Sequence, residues 1–145
     1  MRGGKVIKEG VGHNMVVTQG INKMLDIMFY GETQITGWSI GLINNTPAPS
    51  LSSSDTLASH VGWSEFTDVD ARATWAPAGA VLGVQTNGSP IEITITDTGV
   101  VYGFFMTDAA SGSSGVLWAT AGFSTGVLSV IADDVIKITY SITVA

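Results

Sequence analysis

The chain has 145 residues, of which 45% are apolar and only 12% charged, with 12 acidic side chains against 6 basic and a net charge of −6. That length supports one domain with one sizeable core, while the acidic balance excludes nucleic acid as the main partner, because phosphate binding needs a basic face. Cysteine is absent, which rules out disulfide staples and thiolate metal sites.

Residues 1–13 read as a flexible basic arm. Arg2, Lys5 and Lys8 are half of the basic residues, and Gly3, Gly4, Gly10 and Gly12 interrupt any regular element. No apolar segment follows these charges, so no secretory signal is expected. Asn14 is a favoured N-cap, and Val17, Ile21, Met24, Leu25 and Met28 follow at helical spacing. The expectation is a helix that opens at Asn14, lays its Met and Leu stripe on a sheet, and stops at Gly31. Gly20 should weaken it by up to ~1 kcal/mol relative to Ala.

Ile35 to Asn44 reads as a strand with Trp38, Ile40 and Leu42 on one face. The Asn-, Pro- and Ser-rich stretch from Asn44 to Ser54 is a loop, after which Asp55 is placed to cap a short helical turn through His60. Short strands are expected over Trp63–Thr67, Ala71–Ala76 and Val81–Thr86, with Asn87-Gly88 as a turn. Ile91, Ile93 and Ile95 alternate with Glu92, Thr94 and Thr96, and Asp97-Thr98-Gly99 folds this strand back onto Val100–Met106 as a hairpin with Gly99 at positive φ. Val116–Ala121 and Val127–Ala132 follow a Gly/Ser loop. The last strand alternates Ile136, Ile138, Tyr140, Ile142 and Val144 with polar residues. Eight or nine short strands about ten residues apart, with one N-terminal helix, describe a mainly β domain over 14–145. Its class is an antiparallel β-sandwich of jelly-roll type.

Chemistry is sparse. Gly122-Phe123-Ser124-Thr125-Gly126 fits G-x-S-x-G, but that nucleophile elbow needs a helix after the Ser, and a strand follows here. His13 and His60 are the only imidazoles, too few for a zinc set and not spaced as a base for Ser124 with Asp55 or Asp70 as its orienter. Asp68-x-Asp70 and Asp133-Asp134 lack the EF-hand pattern and read as turns. No catalytic residue, metal site or cofactor is expected. Glu65 and Arg72, on neighbouring strands, are a candidate structural ion pair. Trp38 and Trp118 sit inside apolar strands and read as core. Trp63 and Trp75 flank loops and are candidates for a subunit interface or a glycan-stacking face. A folded chain of this size exposes roughly 7,000 Å², so its 18 charges are thinly spread. Interface centres are poor in Asp, Glu and Lys, so this composition suits a subunit that spends its life against neighbours.

The succession Asn14-Met15-Val16-Val17, Gly37-Trp38-Ser39-Ile40-Gly41-Leu42-Ile43, Asp55-Thr56-Leu57-Ala58-Ser59-His60 and Gly62-Trp63-Ser64-Glu65 resembles small virion proteins of tailed bacteriophages. Arg72 with Trp75, Val101-Tyr102-Gly103, Gly115-Val116-Leu117-Trp118 and Ile138-Thr139-Tyr140 extend the resemblance over residues 14–144. It implies a non-enzymatic head decoration (cement) protein. Such a protein is made in the bacterial host cytoplasm and sits on the outer surface of the virion head, with the major capsid protein and its own copies as partners, a trimer being favoured. Neither nucleic acid nor membrane is a partner in this reading. Arg2, Lys5 and Lys8 would then contact acidic capsid surface. A tail or fibre accessory module that binds host carbohydrate through Trp63 and Trp75 is the alternative.

Overall fold

The structure, a computed structural model, describes residues 7–9 and 12–143. It is mainly β, with 41% strand and one helix of 13 residues. The chain runs from β1 (Ile7–Glu9) and β2 (Met15–Val16) into α1 (Thr18–Leu25), whose last turns, Asp26–Tyr30, widen to π-helical bonding. Ten further strands follow: β3 (Trp38–Asn44), β4 (Glu65–Phe66), β5 (Ala73–Trp75), β6 (Val84–Thr86), β7 (Ile91–Thr94), β8 (Gly99–Thr107), β9 (Leu117–Gly122), β10 (Leu128–Val130), β11 (Val135–Ile138) and β12 (Ser141–Thr143). The described residues thus form more and shorter strands than the eight or nine expected.

The large sheet has the order β2-β9-β8-β3-β4, with β10 also on β8 and β5 also on β3. All of its pairs are antiparallel. Two bulges bend it. Ile43 pairs with Gly103 and Asn44 with Val101, which leaves Tyr102 as the extra residue of β8. Met106 pairs with Ala119 and Thr107 with Leu117, which leaves Trp118 as the extra residue of β9. The opposing layer consists of β1-β11-β7 and the ribbon β12-β6. Here β1 runs parallel to β11, an exception among otherwise antiparallel ladders.

Side-chain alternation on the large sheet feeds two cores. Ile40, Leu42, Phe104 and Met106 meet Ile93, Ile95, Ile136, Ile138 and Tyr140 of the second layer. Ile43, Phe105 and Leu117 face the other way and are covered by Val17, Leu57 and Trp63. The loop 45–63 is therefore a lid on a second core.

Three element readings change. The helix opens at Thr18, not Asn14: Val17 is its N-cap residue without a side-chain bond, and Met15–Val16 pairs with Thr120 and Ala119 of β9. The Ile91 strand and the strand after it are not a hairpin. β7 pairs with β11 in the second layer while β8 lies in the large sheet, so Asp97-Thr98 carries the chain between layers. Gly99 is needed for closeness instead of positive φ, because a Cβ there would enter the Phe66 ring. The last strand breaks at Thr139-Tyr140, and its second half crosses to β6.

Candidate functional site

Each residue that the sequence marks for chemistry or contact has a definite place. Glu65 and Arg72 meet in a bidentate pair, Nε to Oε1 at 2.8 Å and Nη2 to Oε2 at 2.7 Å. The Arg72 side chain is almost fully buried, lies 5.0 Å from the Phe105 ring centroid, and also donates to the Ala109 and Gly112 carbonyls at 2.8 Å each. Its planar fork thus pins the 109–115 loop to the sheet, which an ammonium could not do with the same geometry. The role is structural.

Trp63 and Trp75 are both buried within the chain, which makes them core aromatics and does not fit a glycan-stacking face. Trp63 stacks on His60 at 3.9 Å, tilts against Phe105, and donates Nε1 to Asp55 at 3.1 Å. The Asp55 carboxylate also accepts the Ser52 amide at 2.9 Å, so Asp55 organises the lid of the second core and caps no helix. Trp75 packs edge-on against Tyr140 in the main core, and its Nε1 has no hydrogen-bond partner among the described residues. Neither indole offers a face to a sugar.

Ser124 lies in a turn between β9 and β10, closed by the Gly126 amide on the Phe123 carbonyl at 3.1 Å. No helix follows it, and His60 is engaged with Trp63 through its ring and through Nδ1 to the Trp63 carbonyl. Among the described residues no three His, Cys, Asp or Glu side chains converge as a metal set. Of the arm residues, Lys8 is part of β1, paired in register with Ile136, so the arm is not free throughout its length. Arg2 and Lys5 lie outside the described residues.

Two depressions stand out among the described residues. The larger, about 550 Å³, is lined by Glu9, His13, Asn14, Lys137 and Tyr140 among others. Its floor is a bonding hub: the Tyr140 hydroxyl accepts from Asn14 Nδ2 and from Trp118 Nε1, both at 2.9 Å. Burial pushes the Tyr140 phenol up to about 12, against the opposing pull of the Trp118 hydrogen bond.

The second depression, about 350 Å³, runs between the helix and the sheet and is lined by Met24, Ile27, Met28, Trp38, Met106 and Trp118, among others. It exists because the helix does not rest on the sheet through its apolar stripe. Ile21, Met24, Leu25 and Met28, at offsets of 3, 4 and 7, are all exposed, as are Phe29 and Tyr30 of the π-helical end. The buried helical residue is Gly20, where a Cβ would come within 2.6 Å of the Trp118 carbonyl and 2.9 Å of the Trp118 ring. Gln19 completes the seat: its Oε1 accepts the Leu117 amide at 2.8 Å and the Leu57 amide at 3.3 Å. Lys23 bonds Glu32, which raises the ammonium pKa, and closes the helix end with the αL residue Gly31.

Sequence reading located the stripe correctly and expected it to be packed; Val17 is buried, but Met24 and Met28 face the sheet across an open groove and Ile21 and Leu25 stay exposed. The period of the stripe reports that one face is apolar, not what covers that face. The glycine in mid-helix was the available signal, since a helix that approaches a sheet by its backbone buries little else. Comparison with protein-family models and with characterised proteins returns no match for this chain.

Proposed function

We propose that this chain is a non-enzymatic structural protein of a bacteriophage particle, a decoration protein that binds the outer face of the head through the major capsid protein and associates with its own copies. The observation that carries the reading is the uncovered helix face: six large apolar side chains from Ile21 to Tyr30 stand open beside an aromatic-lined groove. A low-charge domain with such a patch is suited to binding by area, and contiguous apolar patches of this kind mark interaction sites. The virion assignment adds the resemblance of the segments around Trp38, Asp55, Trp63 and Trp118. With Lys8 tied into β1, capsid contact from the arm falls to Arg2 and Lys5. The carbohydrate alternative has lost the two indoles it relied on, because both are buried.

Cryo-electron microscopy of the particle that carries this chain tests the proposal. Expected is density in many copies on the head, bridging capsid subunits, and saturable binding of the purified chain to heads prepared without it. Density confined to the tail, or no binding to such heads, overturns it.

A further inference from the structure

We infer that the helix face is a self-association surface, on which a second copy of this chain seats its Phe29 and Tyr30 rings in the groove between helix and sheet. Three observations lead there. The first is area. Ile21, Met24, Leu25, Met28, Phe29 and Tyr30 are 40% to 82% exposed. Together they offer on the order of 700 Å² if a large side chain presents ~150–250 Å², close to the ~800 Å² per partner of a standard interface.

The second is shape. The two most exposed of these side chains are rings, Phe29 at 80% and Tyr30 at 82%, at the end of the helix that walls the groove. A cavity of ~150 Å³ accommodates one benzene-sized ring, so a groove of about 350 Å³ has room for two. The chain therefore carries both the knobs and the matching hole, the condition for a symmetric contact between identical subunits. Met24, Met28 and Met106 give the groove adaptable walls, and Trp38 and Trp118 give it aromatic ones.

The third is charge. A chain of net charge −6 repels its own copies. Around this helix, however, the charges are few: Lys23 and Glu32 are bonded and cancel, which leaves Asp26, with Asp108 in electrostatic reach of Lys23, as the acidic remainder. A polar rim with few charges around an apolar centre is the usual anatomy of an interface.

The test is sedimentation velocity on the purified full chain over a wide concentration range, with indole fluorescence from the groove as a second signal. The wild type should form a reversible oligomer, and the indole emission should change with concentration. Phe29→Ser with Tyr30→Ser, and separately Met28→Lys, should each weaken association at least tenfold, about 1.4 kcal/mol. Their circular dichroism should stay native, since these side chains are exposed. Val61→Ser, which removes a still more exposed apolar side chain from the 45–63 loop, should change nothing. A chain that is monomeric at every concentration overturns the inference. So does an oligomer that the helix variants leave intact, or one that Val61→Ser weakens equally. Because the measurement uses the isolated chain, it stands or falls independently of whether heads bind it.

Discussion

Tyr140 shows how much a single polar atom can organise in a largely apolar interior. Its ring meets Trp75 and Phe104 edge-on, its hydroxyl collects donors from Asn14 and Trp118, and its backbone amide is held by Asn87 Oδ1 at 2.7 Å. The phenol titrates at about 12 in the folded chain, against ~10 when unfolded. Below pH ~10 both states keep the proton and stability does not depend on it. Between about pH 10 and 12 the unfolded chain releases its proton first, so stability should fall by ~1.4 kcal/mol per pH unit. Tyr140→Phe should remove that alkaline loss. At neutral pH it should cost about 1–3 kcal/mol, because Asn14 and Trp118 lose their acceptor. Urea unfolding of both proteins across this pH range reads the two effects separately. At this scale the sequence was partly legible. The reading of two short strands anticipated the Glu65–Arg72 pair, although Arg72 lies just before β5 and both β4 and β5 pair with β3 instead of with each other. Nothing in the flanks of Trp63 or Trp75 could reveal that a loop anchored by Asp55 closes over one and that the second layer closes over the other. Asn87 read as a turn residue, and its long-range bond to Tyr140 leaves no local mark.

At the scale of elements, periodicity identified the strands and the helix but not their partners. β7 and β8 are adjacent in sequence and belong to different layers, because Ile93 and Ile95 face the main core from one side and Phe104 and Met106 from the other. The alternation from Ile136 to Ile142 runs unbroken through a change of sheet. A period of two states which side is buried, and both halves keep their buried side while exchanging neighbours. Gly20 inverts its expected role. Propensity alone predicts that Gly20→Ala gains up to ~1 kcal/mol. The added methyl would, however, press on the Trp118 backbone and ring, and overpacking of this kind costs ~1–3 kcal/mol. The expected net result is destabilisation, visible as a lower midpoint in chemical unfolding, with the helix displaced from β9. A stabilised Gly20→Ala protein would show that the helix seat is looser than its geometry indicates.

The whole molecule is a sandwich with unequal covers. The large sheet has one face closed by the second layer and the other closed by the 45–63 loop, with Arg72 holding the 109–115 loop beside it. The mainly β, sandwich-like class followed from strand spacing and composition. The second core was not foreseeable, since Leu51, Leu57 and Trp63 are too scattered to form a pattern before the chain brings them together. The helix keeps its apolar face uncovered and is held by one glycine, one glutamine and the sheet edge below it. Few apolar contacts hold it down, so its amides belong to the part of the molecule that opens most readily. In the isolated chain they should exchange with solvent deuterium well before those of β3 and β8, and they should slow markedly once the face is occupied. The helix would then act as a built-in gauge of assembly: its exchange rate, followed by mass spectrometry, counts how many subunits have found a neighbour.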